Sequence, residues 1–401
     1  MVDRPKAVDV AVVGGGPAGA SIAILLARAG VSTAVFNRSD GNDQRIGETL
    51  PPVANKLLQD LGVWSSFWNQ KHLAAEGVVS AWNDTQLPVN DFFRSPQGTG
   101  WSLDRNRFDA MLLEESERVG AIVYRGASIV SCSTCYTQGW QLESCRNGST
   151  FGVLARYLVD ASGKTGSGAL AFLSRRIVMD RLIGIARFFK CNDRSRYTLV
   201  EAAEEGWFYS AGLPNRRFVT VYFTDADIYA HGRKADPHYW KTQVDKAVHT
   251  SNRLRQVSAS CCERIVSAAT SRRARVSGRG WIVGDAALNF DPLSSLGIYK
   301  ALDSTTQACN SILRTLRGDR RDLSYSNWSD AVFTLYMNER LNSYRAQQRW
   351  VGATFWERRR QDSGRQLKLE AGLEPKNYFQ EFRSRSDPQS IFRAGGRQWL
   401  L

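Results

Sequence analysis

Apolar residues run unbroken over positions 10–13, give way to Gly14-Gly15-Gly16-Pro17, and return at helical spacing as Ile22, Leu25, Leu26 and Ala29. The unbroken run fits a strand buried on both faces. The spaced residues fit a helix that Pro17 opens, where a missing N–H costs little, and Gly30 ends. A second strand is predicted over 32–36, so residues 9–37 read as a βαβ unit. Farther on, the pattern predicts a loop from Glu48 to Pro52, a helix over 56–61 ending at Gly62, and a strand over 78–82. A polar loop or mobile flap is expected over 83–100. Phe108, Leu112 and Leu113 share one face of a helix that begins near Arg105. Two short strands are predicted over 121–130, and a hairpin over 136–158 that turns at Arg146-Asn147-Gly148. Between 178 and 270 strands alternate, with one helix expected in 239–258. A buried strand over 281–283 meets Gly284-Asp285, and a helix is predicted from Gly297 to about Leu316. Residues beyond 325 read as mostly helical.

Gly14, Gly16 and Gly19 stand in G-x-G-x-x-G spacing between the first strand and its helix. Such a turn lets the backbone approach a pyrophosphate closely. The helix start at Pro17 and Ala18 offers it free N–H groups and a positive dipole end. A carboxylate at the end of the second strand would bind a ribose hydroxyl; this chain has Asn37 there, followed by Arg38. Asn accepts a weaker, uncharged hydrogen bond. Arg38 would suit a 2′-phosphate, but two further landmarks favour FAD. Arg105, at a helix start, can reach a phosphate. Asp285 can bind ribityl or ribose hydroxyls, and the helix from Gly297 can aim its N–H groups at the N1–C2=O edge of a flavin.

Composition narrows the class. The chain has 401 residues with 43% hydrophobic content, enough for two or three packed domains. No apolar run reaches the roughly eighteen residues of a membrane span. The opening MVDRPKAVD lacks the apolar core of a signal peptide, and the seven cysteines are odd in number; both point to a cytoplasmic location. Cys132 and Cys135 form one C-x-x-C without a second pair, and the four histidines are scattered, so no metal site is expected. His72, His231 and His238 read as surface residues rather than bases. The net charge of +14 suits an acidic macromolecular partner. A well-solvated basic surface is the other reading, and no nucleic-acid-binding motif accompanies the charge; a peptide or protein partner would meet the cationic region after 325.

Three motifs together carry a resemblance. They are the glycine turn, Asp160-Ala161-Ser162-Gly163, and a G-D-A…P…G pattern at Gly284, Asp285, Pro292 and Gly297. Over about residues 8–330 the chain resembles the p-hydroxybenzoate hydroxylase-like flavoproteins, which include aromatic hydroxylases, halogenases and geranylgeranyl reductases. The resemblance implies an α/β fold. A Rossmann-like FAD-binding domain would span 1–175 and 273–324, with an inserted antiparallel β-sheet substrate domain over 176–272 and a helical C-terminal region over 325–401. It also implies FAD contacts at Arg45, Glu48, Ile129, Asp160, Gly163, Ser295, Leu296 and Ile298.

Gly47-Glu48-Thr49-Leu50-Pro51-Pro52, residues 101–109 and the run 198–209 are similar to the halogenase-like branch. The chain length and Asp291-Pro292-Leu293-Ser294-Ser295 resemble the flavin monooxygenases that mature tryptophylquinone enzymes, which hydroxylate a tryptophan held in a protein or peptide precursor. The implied chemistry uses reduced FAD and dioxygen to form a C4a-hydroperoxide that attacks an electron-rich ring. Reducing equivalents would come from NAD(P)H or a separate flavin reductase. Pro292 would shape the flavin face, Trp207 and Tyr209 would wall the substrate cavity, and Glu201 would supply a polar group there. Tryptophan halogenases carry a lysine beyond the GETLPP motif, but an ungapped count here lands near Gly77, with Lys71 the nearest lysine. The W-x-W-x-I-P segment of that family is absent as well. Hydroxylation is therefore expected over halogenation or alkene reduction.

Overall fold

The computed structural model describes residues 6–39, 46–83, 87–135, 139–164, 174–191, 196–273, 276, 279–319 and 322–361. Its first sheet is built around the strand Lys6–Val13. That strand pairs in parallel with Thr33–Asn37 on one side and with Ser149–Asp160 on the other. Ile122–Arg125 extends the sheet in parallel, and Gly280–Ile282 pairs with the end of Ser149–Asp160. Val10, Ala11 and Val12 are wholly buried, which is why the run carries no alternation. The helices Pro17–Arg28, Arg105–Arg118 and Gly297–Leu316 pack together over this sheet. The hairpin Gly139–Arg146 with Ser149–Asp160 extends it, turning through Asn147 and Gly148 at φ 50° and 80°, and Ala127–Cys135 pairs antiparallel with Gly139–Arg146 to form the edge. Positive φ at both turn residues matches the right-handed twist of the paired strands.

The second sheet has seven strands in the order Val257–Ser267, Leu182–Cys191, Arg217–Asp225, Gly206–Leu213, Tyr197–Ala203, Gly77–Ala81 and Val89–Asp91. Two features correct the sequence reading. The sheet is mixed, because Gly77–Ala81 pairs in parallel with Tyr197–Ala203. It also draws two strands from the stretch before 100, so the described part of 83–100 is no simple flap. Val89–Asp91 seals the sheet edge, and Phe92 lies buried beside Gly100.

The region 226–254 holds three short helices, Ala226–Ala235, Tyr239–Lys246 and Val248–Leu254, where one was expected. The first had no clear apolar period, since only Tyr229 is buried along it. The break between the other two falls at Ala247, whose backbone is extended. The carboxylate of Glu201 accepts the N–H groups of His249 and Thr250 at 3.1 and 2.7 Å and so starts the third helix.

The C-terminal helices Ser324–Ala346 and Thr354–Arg360 close the molecule. Tyr344, Phe355 and Trp356 share a buried cluster with Trp207 of the inserted sheet and with Trp82, which follows its strand Gly77–Ala81. No helix among the described residues is long and apolar enough to cross a membrane.

Candidate active site

The two sheets and the loops between them enclose a cavity of about 900 Å³. One end is the turn after the first strand. Gly14 has φ 106°, and a Cβ on it would lie 2.4 Å from the Ala161 carbonyl oxygen. A Cβ on Gly19 would lie 1.7 Å from the Gly14 oxygen, so this helix can sit against its strand only with glycine there. Gly16 precedes the helix, Pro17 opens it, and no side chain caps it among the described residues. Gly14, Gly16, Pro17 and Ala18 line the cavity, as do Asn37 and Arg38. Asn37 packs over Gly15, and its amide donates to the Ser39 carbonyl at 2.9 Å. Arg45 lies outside the described residues.

At the middle of the cavity, burial pushes the carboxyl of Asp285 up, but the ammonium groups of Lys300 and Lys164 and the guanidinium of Arg105 outweigh burial and hold it below the usual carboxylate range. The Lys300 Nζ donates to Asp285 Oδ1 at 2.7 Å. Burial lowers the ammonium of Lys164, which also lines the cavity. No sequence signal singled out Lys164, because it follows the D-A-S-G motif rather than belonging to it. Gly163, Ile129, Pro292, Ser295, Gly297 and Ile298 complete the lining here. Ser295 takes a left-handed backbone at φ 51°, which turns the chain into the helix Gly297–Leu316. No side chain caps that helix start among the described residues, leaving its N–H groups toward the cavity.

Several expected contacts lie behind the wall rather than in it. Asp160 is fully buried, and its Oδ1 accepts the N–H and hydroxyl of Ser162 at 3.0 and 2.6 Å, shaping the turn that reaches the cavity. Gly19, Gly284 and Leu296 are likewise structural neighbours of the lining. Arg105 does line the cavity, but its guanidinium donates to the carbonyls of Ile46 and Gly47 at 2.9 and 3.0 Å and pairs with Asp109 at 3.2 Å. It anchors the loop that carries Glu48.

The far end belongs to the inserted sheet, where Tyr209, Val221, Phe223, Val266 and Ala268 face Phe290 and Pro292. The Tyr209 hydroxyl meets the Thr49 hydroxyl at 2.8 Å, joining this sheet to the Glu48 loop. Two expected cavity residues are corrected. Glu201 is the helix cap described above. Trp207 is 1% exposed, stacks on Phe223 and donates its Nε1–H to the Tyr344 hydroxyl at 3.2 Å. On a strand, alternate residues face opposite sides, so Tyr209 and Trp207 share a face while the twist and the depth of the cavity separate them.

Lys71 is exposed, with a left-handed backbone at φ 50°, and does not line the cavity. His231 and His238 are exposed, but His72 is buried against Phe67 and Phe108. Burial holds its imidazole down to about 4, so it is neutral, and its Nδ1 accepts the Asp104 N–H. Burial pushes the Cys132 thiol up to about 11, which removes it as a thiolate. Among the described residues no group of three or more His, Cys, Asp or Glu could hold a metal.

The fit to FAD rests on these observations. The glycine turn closes to any side chain, two uncapped helix starts converge on one cavity, and an acidic group with flanking cations sits between them. A long, doubly charged, flat-ended cofactor suits that arrangement. The inserted sheet leaves room beyond it for a ring.

Comparisons with known proteins agree. LodB of Marinomonas mediterranea, which is named as an FAD-dependent oxidoreductase, is 29% identical over 365 residues, covering 88% of this chain and 96% of that protein. The flavin-dependent halogenase gsfI of Penicillium aethiopicum is 26% identical over 373 residues, covering 83% and 70%. Among solved structures, the myxobacterial chondrochloren halogenase CndH shares the fold with a TM-score of 0.81 at 20% identity, over 98% of this chain and 99% of that one. The peptidyl tryptophan dihydroxylase QhpG shares it with a TM-score of 0.67 at 23% identity, over 88% and 78%. The family described as "FAD binding domain" matches residues 7–332. The chain belongs to that family and is an FAD-dependent oxidoreductase of the p-hydroxybenzoate hydroxylase-like superfamily.

Proposed function

We propose that this oxidoreductase is a monooxygenase that hydroxylates an aromatic ring, a tryptophan side chain of a peptide or protein precursor in tryptophylquinone biogenesis. The observation that carries the reading is the undivided cavity. It runs from the glycine turn to an apolar and aromatic wall of Tyr209, Val221, Phe223, Val266 and Phe290. Bound FAD would supply the electrons and activate dioxygen, drawing reducing equivalents from NAD(P)H or a separate flavin reductase. The chain's own residues then have three tasks. Val221, Phe223, Val266 and Phe290 exclude water and seat the ring. The N–H groups at Gly297 and Ile298 offer stabilisation to negative charge near the cavity. Tyr209, tied to Thr49, holds the inserted sheet against the cofactor side. The peptide reading draws on the likeness to QhpG, which is named for a peptidyl tryptophan.

Halogenation is the second reading. It is favoured by halogenase relatives and by Lys164, a lysine that lines the cavity although Lys71 does not. Val266→Trp tests the placement of the substrate. It narrows the far end only, so flavin content should persist while aromatic turnover falls by about tenfold or more. Unchanged turnover with full flavin content would move the substrate elsewhere.

A further inference from the structure

The outermost strands of a sheet carry N–H and C=O groups without a partner on one side, and proteins blunt such edges with short strands, bulges, proline or lysine. The inserted sheet ends in two such strands. Val89–Asp91 is blunted by its length of three residues, and none of them lines the cavity. Val257–Ser267 has eleven residues, VSASCCERIVS, with neither proline nor lysine. It pairs with Leu182–Cys191 on its inner side, and no described strand pairs with its outer side. Toward its end both faces are open, with Ile265 and Ser267 exposed on one and Arg264 on the other. The same strand is a wall of the cavity. Arg264, Val266 and Ala268, alternate residues and so on one face, line it. That row runs from exposed Arg264 through half-buried Val266 to buried Ala268. Opposite Val266 on the next strand is Gly184, and the Phe223 ring lies where a Gly184 side chain would stand, 2.7 Å from the position of its Cβ. One missing side chain thus brings the aromatic wall out to the edge strand.

We propose that an extended, acidic segment of the substrate adds to the inserted sheet as an outer strand along Val257–Ser267, with its aromatic side chain beside Val266 and an acidic residue two positions away against Arg264. This rests on the peptide reading given under the proposed function and adds to it the docking surface and a sequence rule. A strand laid on this edge sits about 4.8 Å from Val257–Ser267, and every second side chain falls on the face of the Arg264–Val266 row. A tryptophan opposite Val266 then leans over it toward Phe223, about one side-chain length away. Because Arg264 and Val266 are two residues apart, the residue that faces Arg264 lies two positions from the tryptophan. Arg264 at the open end of the row, in a chain of net charge +14, makes that residue an aspartate or glutamate. Main-chain pairing supplies affinity whatever the sequence, and the row supplies selection.

The test uses full-length protein loaded with FAD and dye-labelled peptides with one central tryptophan and one aspartate two residues before or after it. Fluorescence anisotropy gives the Kd, and product mass under labelled dioxygen gives turnover. Two further peptides carry N-methyl groups on alternate amides, one set each. In a paired strand one set faces the protein and the other faces solvent. One N-methylated peptide should therefore bind at least about tenfold more weakly than the parent, and the other about as well. Moving the aspartate by one residue turns it to the other face and should weaken binding by about threefold to tenfold. Arg264→Glu should lose affinity for the aspartate peptide by a similar factor and regain it with lysine in place of the aspartate; its flavin absorbance shows that it is folded and loaded. Equal binding of both N-methylated peptides, or indifference to the position of the aspartate, would overturn the proposal. If oxygen is still incorporated in that case, the hydroxylation reading stands without this docking surface. Alternating sensitivity without an oxygenated product would support the docking surface and overturn hydroxylation. Failure of every tryptophan peptide to bind would overturn the docking surface and the peptide reading together.

Discussion

Gly19 shows how one missing side chain fixes a site. Its absent Cβ lets the helix lie against the oxygen of Gly14, and any larger residue pushes the turn open. Gly19→Val should leave secondary structure by circular dichroism largely intact and reduce FAD per folded protein by at least about tenfold, as read by flavin absorbance. Retention of stoichiometric FAD would count against the turn as the pyrophosphate site. Asp303, on the helix from Gly297, makes a different prediction. Burial pushes its carboxyl up to about 6 against an ordinary 3.8, despite a hydrogen bond from Gln307. Its folded pKa is raised, so the folded state binds more protons between those values. Stability therefore falls as pH rises from about 4 to about 6 and stays lowered above. Asp303→Asn should remove that pH dependence and gain about 1–3 kcal/mol at pH 7. Melting temperatures of the two proteins at pH 4 and pH 7 decide it. The same scale shows what the sequence hid. The glycine spacing was legible because glycine has a steric signature. The role of Glu201 was not, because a carboxylate on a strand gives no sign that a helix start from residue 248 will come to lie over it.

The helix Ser324–Ala346 governs the loop that lines the cavity opposite the glycine turn. Arg340 pairs with Asp180 at 2.7 Å and Asp291 at 3.3 Å, and all three are largely buried. Tyr344 donates its hydroxyl to Asp291 Oδ2 at 2.8 Å while accepting the Trp207 Nε1–H. Tyr336 accepts the Asp291 N–H at 2.6 Å. Asp291 itself lines the cavity, so one helix ties the cofactor loop to the inserted sheet. Arg340→Met leaves two buried carboxylates uncompensated and should cost about 3–5 kcal/mol in denaturant unfolding. Tyr344→Phe keeps the ring and should cost about 1–3 kcal/mol. Equal, near-zero losses in both would show that the network is not what holds the loop. At this scale the βαβ unit, the hairpin turn and the helix from Gly297 were readable, because each is set by local pattern. The parallel pairing of Gly77–Ala81 with Tyr197–Ala203 was not. It joins segments far apart in sequence, and a strand's own pattern does not name its partner.

Across the whole molecule, the charge of +14 is less available than the composition suggests. In the described part of the C-terminal region Arg340, Arg358, Arg359 and Arg360 pair with Asp180, Asp291, Asp225, Asp227 and Glu357. Arg358 and Arg359 bind that region to the end of the inserted-sheet strand Arg217–Asp225, Arg340 binds it to Asp180 and the cofactor loop, and Arg360 pairs within its own helix, which accounts for part of the cationic excess structurally. Capture of an acidic peptide would then rely on the remaining surface cations. Its KM should rise by about threefold to tenfold between low salt and about 0.5 M salt, with kcat little changed. A KM insensitive to salt would rule out charge-driven capture of an acidic partner.

On the proposed reading, oxygen rather than halogen reaches an aromatic ring seated between the cofactor turn and the inserted sheet. The direct measurement is product mass after incubation with reduced flavin, labelled dioxygen, chloride, bromide and a tryptophan-containing peptide. The expected product is a peptide heavier by one or two labelled oxygen atoms, whether or not halide is present. A product carrying chlorine or bromine, formed only with halide, would contradict it.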